Sequence, residues 1–170
     1  MIAGLRLENT FIDYTANYIE DEEDLVGEIN NTNSYTNVLP SIAFKYNSEK
    51  DWVYRAAFTT SIARPNYYAL SPFLSVIPDD DSAIEAGNPN LKATYAYNFD
   101  LMLEKYYKSV GLLSGGVFYK KLNDFIYTYR DNQYTNAKFS QDFPNLANPI
   151  PAVNPGNWSL TQERNGENVC

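Results

Sequence analysis

The sequence predicts an all-β chain: an antiparallel up-and-down meander of about six long strands, forming a partial transmembrane β-barrel. Three observations carry that prediction. Apolar and polar residues alternate with a period of two over runs of ten or more residues, the side-chain rhythm of a strand and not of a helix. The links between runs are alternately short and long. Aromatic residues are in excess, with 15 Tyr, 9 Phe and 2 Trp among 170 residues, as expected for strands and for membrane interfaces where Tyr and Trp collect.

The first run sets Ala3, Leu5, Leu7 and Phe11 against Gly4, Arg6, Glu8 and Thr10. The second sets Val38, Ile42, Phe44 and Tyr46 against Asn37, Ser41 and Lys45. The third sets Trp52, Tyr54, Ala56, Phe58 and Ile62 against Arg55, Thr59 and Ser61. The clearest is "YAYNFDLMLE", residues 95–104, where Tyr95, Tyr97, Phe99, Leu101 and Leu103 share one face and Ala96, Asn98, Asp100, Met102 and Glu104 the other. A fifth run covers about 112–129. Its faces are less clean, and Gly115 and Gly116 suggest a bend or close approach. A sixth begins near Trp158.

Residues 47–51 and 108–111 are short turns, whereas 15–33, 64–93 and 130–157 are long connections. Short turns at one end and long loops at the other are a feature of outer-membrane barrels. Strands of ten residues exceed the mode of roughly 5–6 in globular sheets and match the about 9–11 needed to cross a bilayer at a tilt. Six strands do not close a barrel, and lipid does not tolerate open edges. The expectation is therefore one unit, residues 1–170, that is a slice of a larger barrel from a partial gene. A soluble sandwich shares the same alternation.

Composition narrows the function. The net charge of −8 and pI near 4.5 argue against a nucleic-acid partner, which calls for basic patches. There is no histidine, and the single cysteine is Cys170, so no internal disulfide, Cys/His zinc site or histidine base exists. No cofactor is implied. Hydrolase, phosphate-loop and metalloprotease motifs are absent, and enzymatic activity is not expected. No run of 18 apolar residues predicts a membrane helix. The amino terminus, "MIAGLRLENT", reads as mid-strand.

Three segments in order resemble the barrel of TonB-dependent outer-membrane receptors: "TSIARPNYYALSPF", "GNPNLKATYAYNFDLMLEKYY" and "VGLLSGGVFYKKLNDFIYTY". In that family a strand ends in an "SRP-N-[FY]" stretch entering an external loop. A "GNP-x-LKP" segment leads into the next strand, and "GVFYK-x-[IL]-x-DFI" follows. Arg64, Pro65, Asn66 and Tyr67 match the first, and Gly87, Asn88, Pro89, Leu91 and Lys92 the second. Gly116 to Lys120 with Asp124, Phe125 and Ile126 match the third. Ala93 stands where the family usually has proline, which relaxes the strand entry. The resemblance implies a 22-stranded barrel in the outer membrane of a Gram-negative bacterium. It also implies a plug domain absent from these residues, an energy-coupling inner-membrane protein and a small scarce nutrient of siderophore, cobalamin or glycan type. A plug-less porin and a soluble carbohydrate-binding module are the alternatives.

Candidate ligand-loop residues are Tyr67, Tyr68 and Phe73, together with Asp79, Asp80 and Asp81. Loop aromatics stack on ligands, or simply hold a loop's shape, which is what the surrounding turn residues favour. The acidic run Glu20 to Asp24 with Glu28 has carboxylates for a divalent cation but no EF-hand spacing; a solvated loop is the simpler reading. Arg64, Pro65, Asn66, Gly87, Asn88, Pro89, Leu91 and Lys92 are read as structural punctuation. Arg55, Asn98, Asp100 and Glu104, with Arg6 and Glu8, are expected on a polar lumen-facing wall. Trp52, Tyr106 and Tyr107 are expected in an aromatic girdle beside the short turns.

Overall fold

The computed structural model describes residues 1–20, 24–77, 82–108, 111–153 and 156–166, with side chains described outside 16–31. Among the described residues the chain runs β1 (Ile2–Glu20), β2 (Asp24–Asn47), β3 (Trp52–Ala63), α1 (Tyr67–Leu70), β4 (Leu74–Ile77), β5 (Ala83–Ala86), β6 (Thr94–Tyr107), β7 (Gly111–Asn123), β8 (Ile126–Tyr134), α2 (Asn136–Asp142) and β9 (Trp158–Asn165). Five strands form an antiparallel wall in the order β1-β2-β3-β6-β7, and four form a second sheet in the order β4-β5-β9-β8.

The wall is an up-and-down meander whose register keeps the two residue classes apart. Ala3, Ile42, Phe58, Phe99 and Tyr119 stand opposite one another in a row across all five strands. The next row, on the other face, is Gly4, Ser41, Thr59, Asn98 and Lys120. A slip of one residue would exchange the faces, so the alternation fixes the register. Rings meet along the apolar row, with centroids 4.9 Å apart for Phe58–Phe99 and 6.1 Å for Phe99–Tyr119. Among the described residues nothing covers that face: Leu5, Leu7, Leu101 and Val117 are 59–68% exposed. A water-soluble sandwich would bury them, so its core is not what the aromatic residues fill.

Aromatic side chains close the apolar band at both ends. Near the short turns, Lys105 Nζ lies 5.3 Å from the Trp52 ring centroid and 5.9 Å from that of Tyr107. At the other end Tyr95 and Tyr97 pack at 4.9 Å. The ten residue steps from Tyr97 to Tyr107 span about 34 Å of strand, or about 26 Å of height at a 40° tilt, close to the roughly 25 Å apolar band of membrane barrels. Tyr106 departs from the expected girdle. It belongs to the opposite face, and its hydroxyl donates to Glu104 Oε2 at 3.0 Å.

The long connections are more ordered than their composition predicts. Most of 15–33 is a continuation of the β1–β2 ladder, paired as far as Glu20 opposite Asp24. The fifth run breaks at Asp124, whose φ of 53° is a left-handed conformation that Asp tolerates better than most residues. The chain there leaves the wall as β7 and enters the second sheet as β8. The sixth run is β9, but it pairs with β8 and, in parallel, with β5. That parallel pair is a departure from a simple meander.

The second sheet and both helices form a cap at the long-connection end. Its core contains Ile84, Tyr134, Phe139, Ile150, Trp158 and Leu160, with Phe139 and Leu160 fully buried. A smaller cluster of Ala69, Leu70 and Leu91 packs on Ile12 of β1 and Ile126 of β8, joining cap to wall. No helix among the described residues is long and apolar enough to cross a membrane.

Candidate functional site

The cap is positioned by the residues that punctuate the sequence. At the end of β3, Arg64 Nε donates to Thr10 Oγ1 at 3.3 Å and its guanidinium pairs with Glu8. Both partners are on the polar face of β1, so the chain turns inward over that face. Pro65 is buried and Asn66 caps α1, its Oδ1 accepting from Tyr68 N at 3.1 Å. Gly87 sits so close to the Ser71 carbonyl oxygen that a Cβ there would overlap it. Asn88 ties two elements together: its N donates to Ala69 O at 2.7 Å and its Nδ2 to Glu163 O at 3.0 Å. Leu91 is buried. Lys92 offers its backbone to Asn165, whose amide bonds both Lys92 N (2.8 Å) and Lys92 O (3.0 Å). These contacts hold the segments around Arg64–Asn66 and Gly87–Lys92 in place, each in a different way.

Beside this segment lies a cleft of about 440 Å³, lined among others by Phe73, Pro89, Asp142, Phe143, Gln162 and Arg164. Arg164 is its cation and Asp142 its carboxylate. Its guanidinium carbon stands 4.0 Å from the Tyr129 ring centroid, Nε donates to Gln162 Oε1 at 3.1 Å, and Nη2 lies 3.7 Å from Asp142 Oδ2. Asp142 Oδ2 also accepts the Tyr134 hydroxyl at 2.9 Å. Burial, and then that bond to Asp142, holds the Tyr134 hydroxyl well above the usual tyrosine range. Asp131 on β8 is held below the ordinary carboxylate range by Lys138, with help from the Gln133 N–H. A cleft with apolar walls, one cation and one carboxylate has the make-up of a small-ligand site.

The aromatic ligand candidates divide. Tyr68 packs on Phe73 with centroids 4.4 Å apart, which shapes the loop. Phe73 still lines the Arg164 cleft. Tyr67 is 80% exposed and lines a separate recess with Arg64 and Tyr35. Asp79, Asp80 and Asp81 lie outside the described residues, as do the side chains of the acidic run from Glu20. Among the described residues no group of three His, Cys, Asp or Glu could hold a metal.

Arg55, Asn98, Asp100 and Glu104 project from one face of the wall, opposite the face of Phe99 and Leu101. Arg55 and Glu104 form a two-pronged ion pair, and Asn98 Nδ2 donates to Thr59 O at 3.2 Å. Arg164, Asp142, Tyr134 and Gln162 went unmarked in the sequence. They come from β9, α2 and β8, far apart in the chain, and no local spacing signals their meeting.

The fold agrees with comparisons to known proteins. The outer membrane protein beta-barrel family matches residues 1–150, and the chain belongs to that family. It is an outer-membrane protein of a Gram-negative bacterium. Among solved structures it is similar to a double mutant of the Serratia marcescens hemophore receptor HasR in complex with its hemophore HasA and heme. The TM-score is 0.55 at 11% identity, covering 98% of this chain and 27% of that one. The chain therefore spans about a quarter of that receptor's length. Comparison with curated proteins finds no match.

Proposed function

We propose that these residues supply wall and extracellular loops of an energy-coupled uptake receptor of the TonB-dependent type. The observation that carries the reading is the inward fold of the long connections. Arg64 grips the polar face of β1, and the cap builds its own core over that end of the wall. A diffusion pore needs an open water path. A packed, cleft-bearing roof suits capture of a ligand before transport. The arginine-proline-asparagine, glycine-asparagine-proline and aspartate-phenylalanine-isoleucine segments support the same class by resemblance, and each has a structural task at the wall–cap junction.

In this reading the apolar face of the wall meets outer-membrane lipid and Arg55, Asn98, Asp100 and Glu104 face the lumen. A plug domain and an inner-membrane energy-coupling protein act through the intact receptor. The cargo is a scarce nutrient of siderophore, cobalamin or glycan type. The likeness to HasR lends a fold and no ligand. These residues have no catalytic task.

The test uses the intact gene product reconstituted in a planar bilayer, with the purified periplasmic domain of the host's energy-coupling protein as probe. The receptor reading expects no steady conductance and measurable binding of that domain. A persistently open channel that ignores the domain would establish a porin instead.

A further inference from the structure

Pro89 and Asn90 form the wall between two clefts, since both line the Arg164 cleft and a second one of about 550 Å³. The second cleft arises from a gap in the ladder. The β2–β3 register ends at Ser41 opposite Thr59, while β2 continues upward. The stretch Asn33–Asn37 therefore has a vacated flank, and the cleft lies between it and the Pro89–Ala93 segment.

Its chemistry differs from that of its neighbour. Lys92 and Asp124 are its two charged groups and their formal charges cancel. Asn33, Asn37 and Asn90 bring three amides, and Tyr35 brings a hydroxyl. Among the described residues, the side chains of Asn33, Asn90, Lys92 and Asp124 make no hydrogen bond or ion pair. Two polar atoms of the lining, Tyr35 Oη and Asn37 Nδ2, are buried without any partner among the described residues. Such an atom costs about 1–3 kcal/mol and is rare in a folded protein unless water, a ligand or function accounts for it. Tyr95 contributes ring surface, because its hydroxyl is already committed to Val38 O at 2.6 Å.

A neutral cleft with several amides selects against two ligand kinds. An anionic metal chelate gains nothing from a site with no net positive charge. An apolar ligand would leave the amides unpaired, a loss that a hydrogen-bonding site penalises heavily. Neighbouring hydroxyls, each both donor and acceptor, match amides that also do both. We infer that the cleft between Asn33–Asn37 and Pro89–Lys92 is a saccharide-binding subsite. Asn37, Asn90 and Tyr35 bond its hydroxyls, and Lys92 and Asp124 sit at its rim. The inference deepens the receptor reading above and rests on it.

The intact protein in detergent is probed on an array of neutral and acidic oligosaccharides, with ferric catecholate and ferric hydroxamate chelates in parallel. The best-binding oligosaccharide is then titrated into wild type, Asn37→Leu and Asn90→Ala. Asn90 is exposed, so that variant keeps its fold even where Asn37→Leu does not. The expected result is oligosaccharide binding weakened about tenfold in Asn90→Ala, the scale of one lost hydrogen bond, and by at least as much in Asn37→Leu. Absence of oligosaccharide binding, or binding unchanged in Asn90→Ala, overturns the inference. If the coupling-protein domain still binds in that case, the receptor reading stands and only the saccharide assignment falls. If the domain fails to bind as well, the receptor reading falls with it.

Discussion

Arg55 reaches Glu104 on a diagonal across the β3–β6 ladder. Glu104 stands opposite Val53, and the guanidinium arrives from two residues further along, with Nε 2.9 Å from Oε1 and Nη2 3.3 Å from Oε2. Glu104 is 7% exposed, and its remaining bond comes from Tyr106. Truncating one member leaves the other enclosed and unpaired, whereas replacing both removes the problem. Arg55→Met should therefore lower the midpoint of heat-induced unfolding of the intact barrel more than Arg55→Met/Glu104→Met does. Gel-shift heat modifiability measures both. Equal losses would mean that the pair is too well hydrated to matter.

Gly87 is where backbone approach is tightest. Gly87→Ala forces Ser71 and the α1 turn to move, a steric cost of about 1–3 kcal/mol. The loss should fall on the cap alone. Limited proteolysis of intact cells should show faster cleavage within 64–93, while the wall keeps its resistance to heat.

Phe139 is fully buried in the cap core beside Phe143, with ring centroids 5.1 Å apart. Phe139→Ala should destabilise the cap by about 3–5 kcal/mol. Hydrogen exchange in β8 and β9 would rise sharply and exchange in β6 would not.

Two groups of the cap give it a pH range. Tyr134 has a raised value in the folded cap, so the fold holds that proton more tightly than the unfolded chain does. Its contribution is complete below the ordinary tyrosine value near 10 and is lost as pH climbs above it. Asp131 has a lowered value, so its contribution is complete above the ordinary aspartate value near 4 and is lost as pH falls below it. Protease protection of the cap should decline on both sides. Tyr134→Phe should flatten the alkaline limb and Asp131→Asn the acid limb. Unchanged limbs would assign the decline to other groups.

The wall was legible because it obeys one rule. Tyr95 to Glu104 alternates, and register, faces and membrane placement follow from alternation and strand length. The cap obeys no such rule. Its core is assembled from Ile84, Phe139, Ile150 and Leu160, four separate pieces of a turn-rich sequence, and its parallel β5–β9 pair is a long-range event. The break at Asp124 is invisible to periodicity, since the faces of that run are already unclean on both sides of it. Tyr106 falls outside the girdle because its position puts it on the polar face, which composition beside a turn does not reveal. The resemblance marks the junction residues in the chain, while Gly87's contact with Ser71 and Asn88's hold on β9 are matters of approach distance.

Single-cysteine spin labels at Phe99, Leu101, Asn98 and Asp100, in the intact protein in bilayers, test the central claim most directly. Collisions with oxygen dissolved in lipid should dominate at Phe99 and Leu101, and collisions with a water-soluble nickel chelate at Asn98 and Asp100. The reverse pattern, or equal exposure to the aqueous quencher at all four, would contradict a wall with its aromatic face in hydrocarbon.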